Sequence, residues 1–203
     1  QPDKYGTQKV ITFIRQLIEH NGFWRASDLS FVRMERIQIV GACNPPTDAG
    51  RTPMPPRLLR HMPLLLVDFP GRESLVHIYG TFMRALLKTQ KDSMRDCAGA
   101  LTEAMVDVFY TAQAHFTPDQ QAHYIYSPRE LSRWVRALYE VLKHQEIPSR
   151  EMLVRLWLHE GLRLFSDRLV EDAEREWMDD CLDNTARKHF KQIDMTVTLE
   201  RPV

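Results

Sequence analysis

The sequence predicts a mixed fold, an α/β unit followed by an all-helical unit, and three observations carry that prediction. Ile37 to Cys43, apolar except for Gln38, and Leu64 to Val67, apolar throughout, are short continuous runs of the kind required by strands buried on both faces. Only one amphipathic helical pattern precedes them. After Pro70-Gly71 no strand-like run follows for well over a hundred residues, and apolar side chains recur at helical spacing instead.

The elements follow in chain order. Val10, Phe13, Ile14, Leu17 and Ile18 keep the i, i+3, i+4, i+7, i+8 spacing of a helix lying on a core, and Asn21-Gly22 supplies its stop. Phe23 to Arg25 and Phe31 to Met34, separated by the five residues Ala26 to Ser30, suit a hairpin, so an insert is expected over about 23–35. The two buried-type runs read as parallel core strands. The connection between them is punctuated by Pro45, Pro46, Pro53, Pro55 and Pro56 and has room for a short helix only near its end. Beyond Gly71, four apolar stripes predict helices. They are Leu75, Ile78, Tyr79, Phe82 and Leu86; Leu101, Met105, Val108, Phe109 and Ala112; Leu131, Trp134, Val135, Leu138 and Leu142; and Leu153, Leu156, Trp157, Leu164 and Phe165. Ser127-Pro128-Arg129-Glu130 is a complete helix start, with Ser as N-cap, Pro at the first helical position and Glu closing a capping box. The division is therefore expected at 1–70 and 71–203. Two such strands and one helix cannot cover both faces of a parallel sheet, so further strands are expected upstream.

Composition excludes several classes of function. The 203 residues hold 27 Lys plus Arg against 27 Asp plus Glu, a balance that argues against a nucleic-acid-coating protein. A chain of this size buries roughly 70% of its extended surface and needs no disulfide or metal to fold. Cys43, Cys97 and Cys181 are odd in number and lack CxxC spacing, which points to a reducing compartment and to thiols acting as small buried apolar groups. No apolar run approaches the roughly 20 residues needed for a membrane span, so no membrane insertion is expected. Gln1-Pro2-Asp3-Lys4 carries neither an initiating Met nor a signal pattern, and a chain cut from something longer is expected.

Motif searches exclude more chemistry than they support. The eight Gly residues form no GxxxxGK[ST] or GxGxxG loop, His159-Glu160 lacks a second His at metalloprotease spacing, and no GxSxG elbow occurs. What remains is positional. Asn44 follows a buried-type strand at the edge where open α/β sheets bind ligands; it either orients a water and contacts a terminal phosphate or begins an Asn-Pro turn. Arg57 and Arg60 lie three apart, so on a short helix they either reach one anion together or form a solvated basic pair. Arg129 stands in a first helical turn, where free N–H groups and the dipole favour anions. It either meets a bound phosphate or turns to water or to Glu130. The acidic stretch Glu171, Asp172, Glu174, Glu176, Asp179, Asp180 and Asp183, with Arg168 and Arg175 interspersed, reads as a solvated helix face.

Taken together, Asp3-Lys4-Tyr5-Gly6-Thr7-Gln8, Val40-Gly41-Ala42-Cys43-Asn44-Pro45-Pro46, Arg57-Leu58-Leu59-Arg60-His61, Ile78-Tyr79-Gly80-Thr81-Phe82, Tyr126-Ser127-Pro128-Arg129-Glu130 and Arg168-Leu169-Val170-Glu171-Asp172 resemble the cytoplasmic dynein heavy chain family. More narrowly they resemble the C-terminal part of the third AAA+ module of the motor ring. The resemblance implies a partial AAA+ module, with the second half of the large α/β subdomain over 1–70 and a helical lid subdomain over 71–203. It implies that the phosphate loop and the acidic, magnesium-holding strand precede this segment, which alone is then inactive. It further implies Asn44 as sensor 1, Arg129 as sensor 2, Arg57 as an arginine finger for the preceding module with Arg60 as its substitute, and Pro70 and Gly71 as the hinge beside the adenine. Leu58 stands where the family usually has an aromatic. ATP or ADP with Mg2+ is the implied cofactor. The implied partners are neighbouring modules, microtubules, accessory chains and a lissencephaly-type WD-repeat regulator, and the implied location is the cytoplasm and cytoskeleton. The implied activity is a slow regulatory ATPase controlling minus-end-directed motility. The alternatives are a non-catalytic ring scaffold and a different AAA+ ring ATPase, of the ribosome-assembly or chelatase-like kind.

Overall fold

The computed structural model describes residues 4, 7–46, 51–191 and 193. They divide into two compact units between Val67 and Asp68.

In the first unit, helix α1 (Lys9–His20) ends at Asn21, whose φ of 50° places it in the left-handed region where Asn and Gly close helices. The chain turns directly into β1 (Gly22–Trp24), which pairs antiparallel with β2 (Phe31–Arg33) in the register Gly22↔Arg33, Phe23↔Val32 and Trp24↔Phe31. Gly22 is required there, because a Cβ would lie 2.4 Å from the Val32 carbonyl oxygen. The loop is one residue longer than the spacing suggested, since Arg25 has left the ladder and its N–H donates to Ser30 O at 2.9 Å. The Phe13 and Phe23 rings meet edge to face at 5.5 Å and hold the hairpin on α1. Helix α2 (Pro56–Leu59) is the expected short helix before the second apolar run, with Leu58 buried.

Neither expected core strand forms. Residues 37–43 and 64–67 carry no strand structure, and their apolar side chains face water, with Val40 86% and Leu66 92% exposed. The physical reason is pairing: a strand's N–H and C=O groups need a neighbouring ladder, and the only ladder among the described residues is the β1–β2 hairpin. The parallel part of the expected fold is thus corrected to two segments without strand pairing.

The second unit is a helical bundle, with α3 (Arg72–Leu87), α4 (Asp92–Arg95), α5 (Ala98–His115), α6 (Pro128–Leu142), α7 (Arg150–Phe165) and α8 (Asp172–His189). Helix α5 runs through its centre and buries Leu101, Ala104, Met105, Val106, Val108, Phe109 and Ala112, against α3 on one side and α8 on another. The α3 stripe is rotated from the expected one. Leu75, Tyr79, Met83 and Leu87 are buried while Ile78 and Phe82 are exposed, because the i, i+4 row faces α5. Gln90 replaces missing backbone partners after α6: its amide donates to the carbonyls of Leu142 and Gln145 at 3.2 and 3.3 Å and accepts from Ile147 N–H at 3.1 Å. The Trp134 and Trp157 rings stack at 4.9 Å, and the Trp134 indole N–H donates to the Trp157 carbonyl at 3.0 Å.

Gly161 lets α7 close on this pair. A Cβ there would stand 2.5 Å from the Trp134 ring and 3.1 Å from Leu182 on α8. Alanine adds about 1 kcal/mol of helix propensity, but overpacking costs about 1–3 kcal/mol. Gly161→Ala is expected to lower the thermal midpoint of the chain by a few degrees in calorimetry, and an unchanged or higher midpoint would contradict this packing.

Candidate functional site

The start of α6 is built as the sequence predicts. Ser127 Oγ accepts from Arg129 N–H at 3.4 Å, and Glu130 Oε2 accepts from Ser127 N–H at 2.8 Å, which completes the capping box. Glu130 is 6% exposed, and its other oxygen, Oε1, lies 3.6 Å from the Arg168 guanidinium. That carboxylate is therefore engaged away from Arg129, whose side chain is exposed and makes no ion pair among the described residues. Of the possibilities open for Arg129, pairing with Glu130 is not what the structure adopts.

Pro70 and Gly71 lead into α3 in the same unit, with Gly71 as its N-cap. The Tyr79 hydroxyl joins α3 to the α6 start: it donates to the Pro128 carbonyl at 2.6 Å and lies 2.9 Å from Ser132 Oγ. Arg72, the first residue of α3, meets Glu103 at 3.0 Å and Asp107 at 2.5 Å on α5. Lys188 and His189, in the last turn of α8, reach the other Asp107 oxygen at 2.7 and 2.8 Å. Burial alone raises the Asp107 pKa, but hydrogen bonds from Lys188, His189 and Arg72 outweigh it and hold the carboxyl far below the ordinary range.

In the first unit, Asn44 is exposed in the proline-rich connection and Arg57 is exposed on α2, with no hydrogen bond or ion pair to either among the described residues. Arg60 differs: it meets Glu19 of α1 at 3.2 Å and its Nε lies 3.1 Å from His61 Nε2. The structure does not bring Asn44 and Arg57 into contact. Cys97 is buried and Cys181 half-buried as expected, whereas Cys43 is exposed, because the segment carrying it has no strand to lie against. Among the described residues no group of three or more His, Cys, Asp and Glu is placed to hold a metal ion, and no helix is long and apolar enough to cross a membrane.

Two family models match the chain: the P-loop containing dynein motor region over residues 1–70, and the ATPase lid domain of the dynein heavy chain over residues 82–175. Among curated relatives, proteins named "Dynein heavy chain, cytoplasmic" are 57% identical over 203 residues in Caenorhabditis elegans, 56% over 202 in Neurospora crassa and 57% over 201 in Dictyostelium discoideum. The chain belongs to the dynein heavy chain family. These matches cover 99 to 100% of the chain, which spans 4 to 5% of the length of those relatives. Asn44, Arg57, Arg60 and Pro70 fall within the dynein motor-region match and Arg129 within the dynein lid match, while Gly71 lies between the two.

Sequence reasoning missed what holds this dynein lid segment in shape. Asp107 interrupts the apolar run from Ala104 to Phe109, a signal that it meets cations from other helices. Arg168 and Arg175 are not merely solvated: both donate to backbone carbonyls, Arg175 to Leu169 at 2.8 Å. Glu174 accepts from the Tyr124 hydroxyl at 2.5 Å and so leaves the solvated face expected for the acidic stretch.

Asp107 gives a pH signature with a definite sign. A carboxyl whose folded pKa is depressed adds stability that is fully present above its unfolded pKa and is lost as pH falls through the folded one. Asp107→Asn is expected to cost on the order of 1–3 kcal/mol at neutral pH, with the deficit constant down to about pH 5 and shrinking below about pH 4. Urea unfolding of both proteins across that range measures it, and a deficit that grows on acidification would contradict the assignment.

Proposed function

We propose that this segment is the C-terminal part of the third AAA+ module of a microtubule motor ATPase, a module that binds ATP and hydrolyses it slowly to regulate minus-end-directed movement of the whole heavy chain. The observation that carries the reading is Arg129, an exposed guanidinium without an ion pair among the described residues, held on a rigidly capped first turn whose own carboxylate is engaged elsewhere. Such a group adds charge and planar donors to a helix start that already favours anions, the chemistry of a phosphate contact.

In this reading Arg129 is sensor 2 and Asn44 is sensor 1. Arg57 is the finger aimed at the preceding module. Arg57 is favoured over Arg60 because Arg60 is already held by Glu19, whereas Arg57 stands exposed on α2. Pro70 and Gly71 serve as the hinge between the large and lid subdomains, with the boundary near residue 70. The cofactor is ATP or ADP with Mg2+. The sequence contains no GxxxxGK[ST] loop, so the phosphate loop and the magnesium ligands are assigned to other parts of the heavy chain, and the segment alone is expected to be inactive. The partners are the neighbouring modules of the ring, with microtubules, accessory chains and a lissencephaly-type WD-repeat regulator engaged through the heavy chain in the cytoplasm.

In a complete heavy chain, Asn44→Ala and Arg129→Ala are expected to slow turnover at this module by roughly 10-fold or more, as loss of a positioned electrostatic group does. Arg57→Ala acts instead on the preceding module, by as much as about 1000-fold, and Arg60→Ala leaves both sites largely unchanged. Site-resolved nucleotide occupancy under turnover measures these effects. Unchanged occupancy in the first three variants would leave the ring-scaffold reading in place.

A further inference from the structure

We propose that Arg168 is the positioning residue for the Arg129 phosphate contact, holding the chain that enters α6 and keeping Glu130 away from the Arg129 guanidinium. The proposal rests on the reading of Arg129 given above.

Arg168 lies in the connection between α7 and α8, and both terminal nitrogens of its guanidinium and its carbonyl are used on residues 123–130. One terminal nitrogen faces Glu130 Oε1 at 3.6 Å. The other donates to the carbonyls of His123 and, at 3.4 Å, Ile125. The guanidinium carbon lies over the Tyr126 ring, 4.6 Å from its centroid, and that ring stacks on Phe165 at 5.7 Å. The Arg168 carbonyl in turn lies 3.1 Å from His123 Nε2. Residues 123–126 lead straight into the Ser127 cap, so the first turn of α6 inherits whatever order Arg168 imposes.

The electrostatic consequence is specific. Glu130 is adjacent in sequence to Arg129, and a carboxylate with a vacant oxygen would compete with an incoming phosphate for it. Arg168 occupies that oxygen. A planar fork suits this task, because a lysine ammonium can meet the carboxylate but cannot also reach two carbonyls while lying over a ring.

The test uses the full-length heavy chain and reads ATP affinity and saturated turnover at this module, alongside the thermal midpoint. Arg168→Gln is expected to weaken ATP binding about 3- to 10-fold and to slow saturated turnover by less than Arg129→Ala does. Arg168→Lys is expected to recover part of the loss. The Arg168→Gln, Arg129→Ala double variant is expected to bind ATP no more weakly than Arg129→Ala alone, since the two act on one contact. Additive losses in the double variant, or an unaffected Arg168→Gln beside a weakened Arg129→Ala, would overturn the positioning role while sparing the reading of Arg129. If Arg129→Ala binds ATP normally and turns over at the unchanged rate, that reading fails and the proposal falls with it. Should Arg168→Gln not fold, Glu130→Gln carries the same test: it keeps the acceptor for Ser127 N–H, loses the ion pair, and is expected to be equally non-additive with Arg129→Ala.

Discussion

The carboxylate of Glu130 is the point on which the exposed end of α6 depends. A buried charge is tolerated only when it is paired and hydrogen-bonded, and Glu130 meets both conditions with different oxygens: Oε2 takes the Ser127 N–H and Oε1 faces Arg168. An ordinary exposed cap contributes about 1 kcal/mol. Here the capping carboxylate also pairs with Arg168, which joins the α6 start to the α7–α8 connection, so the backbone that carries Arg129 is held by a residue some forty positions downstream as well as by its neighbours.

A second clasp does the same for α3. Asp107 gathers Arg72, Lys188 and His189 from the two ends of the second unit's sequence onto the central helix. Tyr79 then ties α3 to the Pro128 carbonyl. The segment entering the unit and the helix start bearing Arg129 are thus fastened to one frame through polar contacts of high geometric specificity. Apolar packing around α5 supplies the bulk of the cohesion, but it does not distinguish one helix register from the next as these contacts do.

What the sequence revealed follows from how local each signal is. The Asn21 stop, the hairpin and the Ser127 to Glu130 cap are encoded within a few residues of where they act, and they appear as read. The α3 stripe was read one ridge off, because Ile78 and Phe82 have the same spacing as Tyr79 and Met83 and only the position of α5 chooses between them. Residues 37–43 and 64–67 have strand composition, but composition cannot provide a ladder partner. Arg168 and Asp107 were the least legible, since their roles come from contacts more than thirty residues away that no short pattern contains.

The two units differ in how far they are complete in themselves, and this bears on the proposed chemistry. Among the described residues of the first unit only Gly22 and Leu58 are buried, while the apolar side chains at 37–40 and 64–67 are exposed. The second unit closes a continuous core from Leu75 to Phe190. Asn44 therefore follows backbone whose apolar side chains have found no partner, Arg57 sits on a short helix that buries only Leu58, and Arg129 sits on backbone already fixed on several sides. If Arg129 is the proposed sensor 2, it stands on a helix start that the second unit's own packing preforms. The proposed sensor 1 and finger, which serve different nucleotide sites, lie in a unit whose apolar segments 37–43 and 64–67 still need ladder partners. On that reading, conformational freedom for the state of the ring to alter is left in the segments that still lack ladder partners and not in the helix start that bears Arg129.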